Sequence, residues 1–194
     1  MMSAIPKHRY SLEEYLELDA HSETRCEYFN GEIVDMAGGS LTHNLISSNL
    51  IQTLGRKLAE RPCTVLTADM RLKVPLALPY RYPDVSVVCG EIQIEKIGEI
   101  ELLINPLLIV EVLSPTTAAY DRGAKFTAYC SIPSFQAYLL IAQDAPYVTH
   151  YVRQTEWVRR DFEGIDSALL LPSLDCSLTF AEIYRGVNFQ SQAG

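Results

Sequence analysis

The sequence predicts an α/β fold of the mixed, α+β kind: a central mixed β-sheet flanked by helices. Three observations carry that expectation. Leu45, Ile46, Leu50, Ile51, Leu54 and Leu58 recur at helical spacing and specify one long amphipathic helix over 41–60. Two β-branched runs, at 84–88 and 107–113, are apolar enough to be buried strands. The second is so continuous that both its faces should be covered. A further helical stretch then leads into three more extended segments, so helices and strands should share one layered core.

Ser11-Leu12-Glu13-Glu14 is a capping box, in which hydroxyl and carboxylate satisfy orphan amides; a short helix should run from it to about Leu18. Residues 27–36 read as two short strands around Asn30-Gly31, a strong hairpin signal. Arg61-Pro62 ends the long helix, because a residue before proline is pushed out of the α region. Residues 65–74 alternate partly and predict a strand with Arg71 and Lys73 on one side. Asn105-Pro106 punctuates the start of the 107–113 strand. Residues 116–129 should be helical, stopped by Ile132-Pro133. Strands are expected at 137–142, 147–153 and 156–162, and a last short helix at 179–184. One domain is expected over 1–187, with a loose C-terminal tail at 188–194.

At 194 residues the chain can bury a substantial core, and 48% hydrophobic with 21% charged residues is ordinary for a soluble globular protein. A formal net charge of −8 opposes nonspecific coating of nucleic acid, so any DNA-binding role needs a local basic face. Five scattered cysteines (Cys26, Cys63, Cys89, Cys130, Cys176) include no C-x-x-C pair. That is neither a disulfide framework nor a zinc site, and it suits a reducing cytoplasm. No basic-then-apolar leader opens the chain, and no apolar run reaches the roughly 18 residues of a membrane span. A cytoplasmic protein without a membrane partner is expected.

Chemistry concentrates between Pro83 and Lys125. Asp84 and Glu111 sit in or beside apolar strands, where an ionised carboxylate is costly unless something compensates it. From neighbouring strands they could hold Mg²⁺ or Mn²⁺, with the backbone carbonyl of Val112 as a third oxygen and waters completing the shell. Lys125 could then hold a water or a phosphate. Asp121, Lys125 and Tyr129 share one face of the following helix; the plainer reading of Asp121–Lys125 is a solvated helical ion pair. Asp84 could equally be a turn residue after Pro83. Ser114-Pro115-Thr116-Thr117 lacks the glycine of a phosphate loop and reads as a strand-to-helix turn with a threonine cap. Arg153, Arg159 and Arg160 could face nucleic acid or guard a sheet edge.

Pro83-Asp84 followed by Glu111 on a hydrophobic strand resembles the PD-(D/E)XK nuclease superfamily, with its restriction-endonuclease-like core. Within it the chain is similar to the Uma-type endonucleases. The matching stretches run in family order: Arg25-Cys-Glu-Tyr-Phe-Asn-Gly-Glu-Ile, His43-Asn, Asp69-Met-Arg-Leu-Lys-Val, Tyr82-Pro-Asp-Val-Ser-Val-Val and Val110-Glu-Val-Leu-Ser-Pro-Thr-Thr. Asp121-Arg-Gly-Ala-Lys-Phe-Thr-Ala-Tyr, Ile132-Pro-Ser and Tyr138-Leu-Leu-Ile complete the set.

The resemblance implies Asp84 and Glu111 as metal ligands, and a Mg²⁺-dependent endonuclease acting on nucleic acid, above all DNA. The superfamily's lysine belongs two residues after Glu111, where this chain has Leu113; the family points to Lys125 as its replacement. Glu27 could join the metal site from the N-terminal part, and His43 could serve there as an acid or base. A homodimer is common in such folds. Two alternatives stand beside the nuclease: a catalytically silent nuclease-fold binding or assembly module, and a metal-dependent hydrolase of another phosphoester.

Overall fold

The computed structural model describes residues 8–22, 26–29, 31–35 and 38–189. Its elements in chain order are α1 (Leu12–His21), β1 (Cys26–Phe29), β2 (Glu32–Asp35), α2 (Leu41–Lys57), β3 (Cys63–Thr67), β4 (Arg71–Leu72), β5 (Val85–Cys89), β6 (Ile94–Ile97), β7 (Ile100–Leu103) and β8 (Leu108–Val112). Then come α3 (Ala118–Tyr120), a π turn (Asp121–Lys125), α4 (Phe126–Tyr129), β9 (Ala137–Ile141), β10 (Tyr147–Arg153), β11 (Trp157–Glu163), β12 (Ala168–Leu171), β13 (Cys176–Thr179) and α5 (Phe180–Ile183).

Six strands form the central sheet in the order β11-β10-β9-β8-β5-β3. β8 and β9 run parallel and their neighbours antiparallel, so the sheet is mixed as expected. Every residue of β8 is buried, which is the covered strand its composition required. Strand periodicity divides its side chains between two layers. Leu108, Val110 and Val112 join a core with Ile46, Leu50 and Leu54 of α2 and with Phe180 and Ile183 of α5. Ile109 and Leu113 join a second core with Ala128 and Tyr129 of α4 and with Phe135 and Tyr138. The long helix and the 118–129 helical segment therefore cover opposite faces.

The expected capping box is formed, and the structure adds a second. Ser11 and Glu14 cap α1, and Thr179 and Glu182 cap α5. Helix α1 continues past Leu18 to His21, because Tyr15 and Asp19 are buried and give its second half an inward face. Tyr15 packs in a third cluster with Tyr80, Tyr82 and Leu102, and its hydroxyl donates to the Cys26 carbonyl at 2.6 Å. The expected hairpin pairs in register from Cys26↔Asp35 to Phe29↔Glu32; Asn30 and Met36 lie outside the described residues.

Several expectations are corrected. The strand foreseen over 65–74 is broken by a turn at 68–70, and β4 joins a separate three-stranded sheet, order β4-β7-β6. Arg71 leaves the main sheet for a buried partner, donating to Asp19 at 3.0 Å. The β6–β7 hairpin is hidden in the sequence because half of its Ile-Glu-Lys-Ile-Gly-Glu-Ile-Glu stretch is charged; Gly98 makes the turn with φ +59°. The β12–β13 pair was also missed, with Asp175 taking a left-handed φ of 42°. Cys63 and Cys89, directly opposed on β3 and β5, are joined by a disulfide, so the cysteines are not all thiols. Spacing along the chain could not show that pairing. In the expected tail, Phe189 packs on Tyr184 with ring centroids 5.2 Å apart, and 190–194 lie outside the described residues.

Among the described residues no helix is long and apolar enough to cross a membrane.

Candidate active site

The β5–β8 register brings the two carboxylates together. Val85 opposes Val110 in this antiparallel pair, so the residue before Val85 falls opposite Glu111. Residues directly opposite point to the same face. Asp84 and Glu111 thus share the face covered by the 118–129 helical segment. The Val112 amide donates to Asp84 Oδ2 at 2.6 Å, closing that relationship through the backbone.

Lys125 reaches the same place. Its Nζ lies 2.9 Å from Glu111 Oε1, 3.7 Å from Asp121 Oδ1 and 3.7 Å from Glu27 Oε1. The Tyr129 hydroxyl also donates to Glu111 Oε1, at 2.8 Å. At 3.6 residues per turn, a spacing of four drifts around a helix. The π turn over Asp121–Lys125 widens one turn and keeps Asp121, Lys125 and Tyr129 all inward; π-bulges inside helices favour functional sites. The solvated ion pair is corrected accordingly: Asp121 and Lys125 are 3% and 5% exposed.

Glu27 enters from β1. Its Oε1 accepts the Tyr82 amide at 2.9 Å, and its Oε2 lies 3.8 Å from Arg81 Nε. Arg81 is in turn hydrogen-bonded to the Tyr120 hydroxyl at 3.0 Å. His43 stands on the opposite wall, its Nε2 3.1 Å from Asp84 Oδ1. Two features place it. The Ser40 hydroxyl accepts the His43 amide at 3.0 Å, and a Cβ on Gly39 would come within 2.8 Å of the imidazole, so only glycine lets that ring settle there. All five proposed side chains, and Val112, line one cavity of about 970 Å³.

The electrostatics are unbalanced. Four carboxylates (Glu27, Asp84, Glu111, Asp121) face two permanent cations, Lys125 and Arg81, among the described residues. Burial pushes Glu111 well above the usual carboxylate range; Lys125 pulls it back, and Asp84 and Asp121 push it further up. Burial likewise raises Asp121 against the pull of Lys125. Burial disfavours the Lys125 ammonium, but Glu111, Glu27 and Asp121 outweigh it and hold the amine firmly protonated. Local negative charge exceeds what the lysine can neutralise.

Sequence reasoning had no access to Arg81, Tyr120 or Gln143. Gln143 ties the walls together, accepting from the Ser40 hydroxyl at 2.6 Å and donating to the Leu113 carbonyl at 2.7 Å. Its approach depends on the β8–β9 pairing, which no local pattern reveals. In the 114–117 turn the capping group is the Ser114 hydroxyl, which accepts the Thr117 amide at 3.1 Å; Thr117 makes no side-chain cap. Two of the arginines considered for nucleic acid are engaged elsewhere. Arg153 donates to the carbonyls of Ile132, Pro133 and Phe135, and Arg159 pairs with Asp161.

Known proteins share this arrangement's frame. An uncharacterised protein of Synechocystis sp. is 34% identical over 186 residues, 95% of this chain and 96% of the relative. A second uncharacterised Synechocystis protein is 35% identical over 153 residues, 78% of this chain and 86% of the relative. The crystal structure of a putative nuclease of a domain-of-unknown-function family from Anabaena variabilis superposes with a TM-score of 0.71 at 25% identity. It matches 90% of this chain and 97% of that one. The nuclease-like fold is therefore a shared framework. The family model described as "Uma2: Putative restriction endonuclease" matches residues 12–181, and the chain belongs to that family.

Proposed function

We propose that the chain is a Mg²⁺- or Mn²⁺-dependent endonuclease that hydrolyses phosphodiester bonds in DNA. One observation carries this reading: Asp84, Glu111 and Lys125, from separate stretches of sequence, meet at the floor of one cavity.

The donor set suits a hard divalent cation. Asp84, Glu111 and the Val112 carbonyl are oxygen donors; burial first, and the Asp84 and Asp121 charges after it, raise Glu111, and a bound cation offsets both. Among the described residues no group of three or more His, Cys, Asp or Glu side chains is arranged as a metal cage. Two carboxylates and a carbonyl match the habit of Mg²⁺, which keeps several waters. When bound, the ion supplies Lewis acidity and a more acidic water.

The chain's own residues do the rest. Lys125, kept charged by its neighbours, neutralises a phosphoryl oxygen or holds the attacking water, in a site where charge is weakly screened. Tyr129 and Lys125 fix one oxygen of Glu111, while Glu27 steadies the ammonium. His43 holds the second oxygen of Asp84 and brings an acid–base group to the wall.

Purified protein should cut DNA with Mg²⁺ or Mn²⁺. Asp84→Ala and Glu111→Ala should abolish both metal binding by calorimetry and cutting, while thermal unfolding stays cooperative. Protein that cuts neither DNA nor RNA, or variants that cut as well as the parent, would overturn the assignment. The second reading, a silent binding module, is favoured by Leu113, an apolar core residue where the superfamily has its lysine. Metal titration separates it from the first. A panel of other phosphoesters tests the third.

A further inference from the structure

We propose that the site takes an unpaired strand: a short stretch of single-stranded DNA, or one extruded from a duplex, enters the cavity while intact duplex remains outside. This rests on the nuclease reading above and narrows its substrate.

Depth is the first reason. Glu111 is 4% exposed and Lys125 5%, so the reactive groups lie at the bottom of the cavity rather than on a groove. Its volume, about 970 Å³, lies at the upper end of the roughly 300–1,000 Å³ that encloses small ligands. A phosphate of regular duplex lies on the outside of a wide cylinder and cannot descend to Lys125 without leaving the helix. Enzymes that work on buried parts of nucleic acid solve this by extruding the nucleotide or by taking single strands.

The walls are the second reason. Ser40, Asn44, Ser48 and Gln52 recur every four residues from the cap of α2 down the side that lines the cavity. Tyr120 stands in the wall as well and adds a π-face. Hydroxyls and amides read base and sugar edges, and aromatic rings stack bases, but neither neutralises phosphates. Among the described lining residues Lys125 is the one permanent cation. Duplex binding is driven by many phosphate neutralisations, which this surface of a −8 chain does not offer. An unpaired strand exposes the polar edges and faces that these walls can use.

The test is fluorescence anisotropy of the full chain with Ca²⁺, at several salt concentrations, using a labelled short single strand, the perfect duplex of the same sequence, and that duplex with a central bulge. The single strand and the bulged duplex should bind at least about tenfold tighter than the perfect duplex, or roughly 1.4 kcal/mol. The slope of log K against log salt should correspond to about one to three phosphates, at about 0.7 each for single strands. Ser48→Lys should steepen that slope by about one such increment. Equal or tighter binding of perfect duplex, a slope matching six or more phosphates, or no binding of any probe overturns the proposal. Cleavage with Mn²⁺ separates the two readings. Single-strand binding without cutting sinks the nuclease and leaves the strand preference; preferred cutting of perfect duplex does the reverse.

Discussion

Lys125 Nζ sits 2.9 Å from Glu111 Oε1, and both groups are nearly sealed from water. Leu113 packs in the apolar core, and the ammonium beside Glu111 comes from the neighbouring helical segment. Removing one partner of such a pair strands the other. Lys125→Met should cost on the order of 3–5 kcal/mol in urea unfolding and abolish cutting. Lys125→Met with Glu111→Gln should recover much of the stability and none of the activity. Equal stability of the single and double variants would show that the pair is not coupled.

Asp84 is held by the Val112 amide and by His43. In Asp84→Asn the amide oxygen can still accept from Val112, so stability should change by about 1 kcal/mol or less. Mn²⁺ affinity, read by electron paramagnetic resonance, should fall by more than about tenfold, the lower range even for outer-sphere changes. Retained affinity would remove Asp84 from the ligand set.

His150 gives the pH dependence. Burial, and the Arg160 charge opposite it on β11, lower its pKa from 6.5 to about 4. The folded pKa lies below the unfolded one, so the unfolded chain takes up the proton first as pH falls. The stability linked to neutral His150 is complete above pH 6.5 and lost between 6.5 and about 4. The loss is at most about 3 kcal/mol. Parent protein should weaken over that window, and His150→Leu should flatten the difference. An unchanged pH slope in the variant would contradict this origin.

The Cys63–Cys89 bond predicts a thiol count. Denatured, unreduced protein should titrate for Cys26, Cys130 and Cys176 alone. Reduction should release two further thiols and, from the 26-residue separation, cost about 3.5 kcal/mol. Five thiols before reduction would exclude the bond.

Local order was legible in the sequence where one physical rule acts alone. Apolar spacing specified α2, paired hydroxyl and carboxylate specified the cap of α1, and a continuous apolar run specified β8. Glu111 could be singled out because a carboxylate in an apolar strand demands a partner. Where charge hid the pattern, as in β6–β7, or a turn cut it, as between β3 and β4, composition misled.

Lys125 marks the boundary between the two kinds of knowledge. Its type and helical neighbours were visible in the chain, but its reach to Glu111 goes with a π turn in the crossover between parallel strands β8 and β9. Hydrophobic periodicity, capping chemistry and the cost of burying charge are local, and the sequence by itself determined them. Which carboxylates, cations and cavity walls meet depends on pairing between distant strands. Only the tertiary structure decided that.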